Sequence, residues 1–139
     1  MSINLQWDGK MGFAGDAPSG ARIVLDAHPE SGGSGTGPTP VEALVASVAA
    51  CSAMDVISIL QKKRQEVSSY TVEVSYERAP EGEWPRPITK FSVRHVVTGP
   101  NVDPEAVARS IQLSDEKYCT VMATLRLSPP IESTYEVRS

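Results

Sequence analysis

The sequence predicts an α+β fold with elements in the order βββ-α-ββ-αα-β, a long central helix packed on antiparallel sheets. Three observations carry it. The stretch Val41 to Gln65 contains neither glycine nor proline and is apolar almost all round as far as Leu60. Segments after it alternate apolar and polar residues, the period of half-buried strands, and short strand-like runs separated by turns precede it. No internal repeat and no linker interrupts the 139 residues, so the chain reads as one domain spanning 1–139.

The opening segment reads as three strands, Ile3 to Trp7, Met11 to Gly15 and Ala21 to Ala27, separated by turns at Asp8-Gly9 and Pro18-Ser19-Gly20. Pro29 to Pro38, PESGGSGTGP, is too polar and flexible for a core. Thr39 is an N-cap and Pro40 suits the first helical position, so the long helix starts there. Lys62, Lys63 and Arg64 fall where the negative end of the helix dipole favours cations. Tyr70, Val72, Val74 and Tyr76 mark the next strand, and Phe91, Val93, His95 and Val97 the one after. Between them Ala79 to Pro87, APEGEWPRP, is a hairpin loop long enough to cover a site. Asp103-Pro104-Glu105 starts a second helix, Ser114 caps a third from about Asp115 to Leu125, and Ile131 to Val137 alternates as a last strand.

A helix apolar on nearly every side needs cover on every side, and one small sheet covers a single face. A second copy of the chain supplies the rest, so the pattern predicts a homodimer. The net charge of −4 offers no general attraction to nucleic acid or anionic membranes. No signal-peptide pattern opens the chain, and nowhere do eighteen apolar residues run together. The expectation is a cytoplasmic protein without nucleic-acid or membrane partners, its two cysteines reduced.

Phosphate loops, dinucleotide glycine motifs and Cys-x-x-Cys are absent from the sequence, and only His28 and His95 could act as histidine ligands or bases. His95, on an apolar strand face, reads as a hydrogen-bonded core residue. No metal or cofactor is expected. What remains is Cys51, in Ala-Ala-Cys-Ser-Ala-Met, and Cys119, in Lys-Tyr-Cys-Thr-Val. Taken alone, each reads better as a buried inert thiol than as a reactive one, since free cysteine is among the most buried residue types. Asp55 stands four residues after Cys51, on the same helix face. An unpaired carboxylate roughly 6 Å from a thiol disfavours the thiolate by about 3 kcal/mol at an effective dielectric near 20. A cation such as Arg22, Arg86 or Arg94 would reverse that sign, and a hydrogen-bonded structural carboxylate is the other reading.

The run Gly37-Pro38-Thr39-Pro40-Val41-Glu42-Ala43-Leu44, followed by Ala49-Ala50-Cys51, resembles the helix start and first-cysteine motif of the OsmC/Ohr family, the osmotically inducible and organic hydroperoxide resistance proteins. Ser114 to Cys119 resembles the family's second-cysteine segment, and the element order is similar throughout. The resemblance implies an OsmC-like fold whose two chains intertwine around paired central helices, with active sites at the dimer interface. It also implies a thiol peroxidase that reduces organic hydroperoxides: Cys51 becomes a sulfenic acid, Cys119 captures it as a disulfide, and a dithiol reductant restores both.

The chain departs from the peroxidase pattern in ways that mark a divergent OsmC-like branch. The family glutamate after the helix-start proline is replaced by Val41, and Glu42 lies about 900° of helix from Cys51, on the opposite side. The N-terminal hairpin has no arginine, the nearest being Arg22 in the next strand, and Thr120 stands where proline often follows the second cysteine. Asp55, Glu42 and Arg22 are the candidates to support the cysteine pair. The alternative function is a non-catalytic protein that binds a hydrophobic small molecule at the dimer interface.

Overall fold

The computed structural model describes residues 1–138. The chain forms two compact units, one of Met1–Ser47 with Val74–Ser92 and one of Val48–Glu73 with Val93–Ser139. Their boundaries fall inside helix α1 (Pro40–Lys62) and strands β4 (Ser69–Arg78) and β5 (Ile88–Thr98).

In the first unit β1 (Gln6–Trp7), β2 (Phe13–Asp16) and β3 (Arg22–Leu25) form an antiparallel meander in that order, with Trp7 opposite Phe13 and Phe13 opposite Leu25. The first turn is built on Asp8, whose Oδ1 accepts the N–H groups of Lys10 at 2.8 Å and Gly12 at 3.1 Å. After β3 the glycine-rich loop wraps the Asp26 carboxylate, which is 3% exposed. It accepts hydrogen bonds from Thr36 Oγ1 at 2.7 Å and from the N–H groups of Ala27, Ser34 and Thr36. The loop runs too close to β3 and the residues just after it for side chains at two positions, since a Cβ on Gly33 would collide with the Ala27 carbonyl and one on Gly37 with that of Val24. The hairpin loop at the far end of β4 is pinned rather than free. Ala79 N–H bonds Pro87 O at 3.0 Å, Arg78 donates to Arg86 O, and Arg86 donates to Ala79 O.

Thr39 and Pro40 start α1 as the sequence indicates, in a reciprocal capping box: Glu42 Oε1 accepts Thr39 N–H at 2.9 Å and Thr39 Oγ1 accepts Glu42 N–H at 3.2 Å. Along α1 the buried residues Val45, Val48, Ala49, Ser52, Val56 and Leu60 recur at helical spacing and define one face. Ala46, Ser47, Ala50 and Met54 define another, which the single chain leaves open. The helix closes with Arg64 in the left-handed region at φ 56°, Gln65 N–H bonding Leu60 O and Arg64 N–H bonding Gln61 O. Its most apolar eighteen residues reach a mean hydropathy of 2.0. By length and composition it therefore qualifies as a membrane span, because Ser47, Ser52, Asp55 and Ser58 break the apolar run without lowering its mean enough.

In the second unit Val56 and Leu60 pack with Ala106, and Tyr70, Val97, Val107 and Ile111 close around them. Helix α2 (Pro104–Leu113) begins at Asp103, whose carboxylate accepts Glu105 N–H at 3.0 Å. Two expectations fail beyond it. Residues Ser114–Tyr118 form a π-helical turn continuing α2, and α3 starts only at Thr120, running to Leu127. Ser114 is therefore not the cap of α3; that position belongs to Cys119. Ile131 to Val137 forms no strand, because within one chain it meets no edge to pair with, and its alternating Ile131, Tyr135 and Val137 are 90%, 92% and 86% exposed.

Candidate active site

Both cysteines are free and both belong to the second unit. Cys51 is half-buried in the middle of α1, whereas Cys119 is 3% exposed. The position of Cys119 follows from the π-helical turn. Its N–H reaches back five residues to Ser114 O at 2.8 Å, its extended backbone (ψ 99°) ends the turn, and its carbonyl receives Ala123 N–H as α3 begins. The Arg126 guanidinium fastens α3 to the turn by donating to Asp115 O at 2.7 Å.

Burial pushes the Cys119 thiol above its ordinary pKa, and the adjacent Cys51 and the Asp55 charge add to the rise. Only the Met122 N–H, three residues into α3, pulls the other way. Cys119 is accordingly a protonated thiol at neutral pH. The structure thus brings the two cysteines together as neighbours with unequal access to solvent.

Asp55 sits one turn beyond Cys51. It is not the unpaired carboxylate that the sequence allows for: Ser114 Oγ donates to its Oδ2 at 2.9 Å. That hydroxyl also lies 3.3 Å from Ser52 Oγ, and Ser52 and Ser114 are both fully buried. Among the described residues Asp55 has no ion-pair partner. It borders an open cavity of about 300 Å³ lined with Ser58, Ile59, Lys62, Leu113 and Tyr118. Ser52 and Ser114 escape sequence reading because each passes for something ordinary, one for a small helix residue and the other for a cap. A signal existed at Ser52, a hydroxyl inside the apolar stripe Val48-Ser52-Val56, which burial obliges to find a partner.

The remaining candidates occupy structural positions. Glu42 is held in the capping box, and the Thr39 N–H donating to its Oε1 leads in keeping its carboxyl below the usual carboxylate range. Arg22 faces Asp16 across 3.7 Å, both exposed. His95 is hydrogen-bonded as its strand position suggests, its Nδ1 2.6 Å from Tyr70 Oη. Burial lowers the pKa of His95 and raises that of Tyr70 to about 12. Among the described residues no group of three or more His, Cys, Asp or Glu is arranged to hold a metal ion.

An α+β chain with paired free cysteines, one on a long central helix and one between two later helices, has counterparts among known proteins. The model of OsmC-like proteins matches residues 33–134, and the chain belongs to the OsmC-like family. Protein YhfA of Escherichia coli K12 is 38% identical over 138 residues, 99% of this chain and 98% of that protein. A hypothetical protein of Aquifex aeolicus, solved by crystallography, superposes with a TM-score of 0.75 at 29% identity, covering 91% of this chain and 87% of its own. At 14% identity and a TM-score of 0.63, over 91% of this chain and 90% of the other, an organic hydroperoxide resistance protein of Legionella pneumophila shares the fold.

Proposed function

We propose that this protein is a cytoplasmic, thiol-dependent peroxidase for organic hydroperoxides, in which Cys51 is the peroxidatic and Cys119 the resolving cysteine. The observation that carries this reading is the adjacency of two free thiols of unequal character, one half-open and one buried and protonated. The Cys51 thiolate attacks the terminal oxygen of the hydroperoxide, the O–O bond breaks, and the alkoxide takes a proton and leaves as an alcohol. Cys119 then attacks the resulting sulfenic acid, the S–O bond breaks and water departs, leaving a Cys51–Cys119 disulfide that a dithiol reductant reopens. No metal, haem or flavin enters the scheme. The hydroperoxide resistance protein of Legionella pneumophila supports the reading by its fold alone.

The working unit in this reading is a single-domain chain paired with a second copy. Met54, 68% exposed on α1, the exposed Trp7 and Phe13 of the meander, and the uncovered Ile131, Tyr135 and Val137 all lack the apolar cover that a partner provides. Glu42 and Arg22 stay in structural roles, and Asp55 is the carboxylate that serves the cysteines.

Stoichiometric organic hydroperoxide should remove two hydrogens from the mass of the chain, and Cys119→Ser should instead gain one oxygen at Cys51. Unchanged mass with both thiols still titratable sinks the enzyme reading. The second reading, a non-catalytic protein binding a hydrophobic small molecule, rests on the cavity beside Asp55 with Ile59, Leu113 and Tyr118 on its walls. That outcome would favour it.

A further inference from the structure

Ser114 is joined to both cysteine segments at once. Its carbonyl accepts the Cys119 N–H at 2.8 Å, and its hydroxyl donates to Asp55 Oδ2 at 2.9 Å while lying 3.3 Å from Ser52, the residue after Cys51. A serine hydroxyl has one proton to give, and an ionised carboxylate is the stronger acceptor. The other oxygen of Asp55 has no protein partner among the described residues. A carboxylate fixed on one side and free on the other, one helical turn from Cys51 and tied through Ser114 to the segment that carries Cys119, has the acceptor capacity that proton transfer requires.

We propose that Ser114 is a positioning residue which holds Asp55 against the cysteine pair, and that Asp55 carries the proton in the step that forms the disulfide. As the Cys119 sulfur attacks Cys51–SOH, the S–S bond forms and the S–O bond breaks. Asp55 takes the proton of the Cys119 thiol and passes it to the departing hydroxide, which leaves as water. Cys119 sulfur is oxidised, Cys51 sulfur is reduced, and Asp55 ends as it began. The inference rests on the cysteine-pair reading above, and it gives Asp55 a role in resolution rather than in the attack on peroxide.

The environment of Cys119 supplies the need for such a carrier. Buried and raised in pKa, it must lose its proton during the attack rather than before it. The other titratable groups lining the cavity beside Asp55 are Lys62 and Tyr118, and the Asp55 charge also reaches Cys119.

The test does not depend on peroxide. One equivalent of dithio-bis-nitrobenzoate should react first at the more exposed Cys51, releasing one thionitrobenzoate and leaving a mixed disulfide. Attack by Cys119 then releases the second, and this leaving group needs no proton, so its rate reports the loss of the Cys119 proton alone. Asp55→Asn should slow the second release about a hundredfold at neutral pH, with the rate then climbing about tenfold per pH unit as free thiolate forms. Ser114→Ala should slow it less, Ser114→Thr should restore it, and the first release should not be slowed in any of the three. Removing a negative charge beside Cys119 favours its thiolate, so electrostatics without proton transfer predicts acceleration in Asp55→Asn. An unchanged or faster second release in that variant therefore overturns the proposal, as does a slowed release that keeps the wild-type pH profile. If the wild type releases both equivalents yet keeps both thiols after organic hydroperoxide, the peroxidase reading falls by itself and the proton carrier is still judged by the dye kinetics.

Discussion

Asp26 in the first unit and Asp55 in the second are both drawn away from solvent, and each accepts a hydrogen bond from a hydroxyl. Asp26 accepts four hydrogen bonds and holds a loop together. Asp55 accepts one and borders open space. The difference separates a carboxylate whose acceptor sites are filled from one with sites to spare, and hydrogen bonds of the first kind stabilise the charged form strongly. The Thr36 hydroxyl leads in lowering the Asp26 pKa to about 2, with the Ala27 and Thr36 N–H groups next.

The largest effect expected from this contrast is that of Asp26→Ala. It strips the Pro29–Pro38 loop of its anchor and leaves the N–H groups of Ser34 and Thr36 without an acceptor. Thermal unfolding should lose more in this variant than in Asp55→Ala, and limited proteolysis should cut the loop. Equal losses in the two variants would break the contrast. Acid provides the next test. Because the folded pKa of Asp26 lies below its unfolded value of 3.8, its contribution is present above that value and is lost as pH falls from about 4 towards about 2. Urea unfolding of the wild type should weaken over that window, and Asp26→Asn should flatten the dependence. Asp55→Asn, by contrast, should cost less than about 1 kcal/mol in the same urea titration, since an amide oxygen still accepts from Ser114. The smallest effect lies away from both acids. Arg64→Gly relieves a left-handed residue at the end of α1 and should raise stability by about 0.5–1 kcal/mol.

How much of this was legible depended on whether the physics is local. The capping box at Thr39, the Asp103 cap and the alternation of Tyr70, Val72 and Val74 are short-range features, and the sequence displays them directly. Ile131 to Val137 has the alternation of a strand, but a strand exists only against a partner edge, and this segment pairs with none in the chain. Ser114 looked like a cap because serine before acidic residues usually is one; the π-helical turn, a tertiary choice, took that role away. The two cysteines were readable as candidates through family motifs, while the Asp55–Ser114–Ser52 connection, spanning more than fifty positions, left no local trace. Asp26 passed for a polar strand end, although a carboxylate ahead of a run of glycine, serine and threonine meets abundant N–H donors.

The π-helical turn has a consequence for how this chain tolerates change in length. A turn closed five residues back holds one residue more than an α-helical turn, as though a single codon had been inserted after α2. Deleting one residue among Asp115, Glu116 and Lys117 would let the turn relax to α-helix and swing Cys119 by about 100° around the axis. Glu116 and Lys117 are exposed, so their chemistry is free to drift while their number is not. In this segment the number of residues, rather than the identity of the exposed ones, sets where Cys119 points.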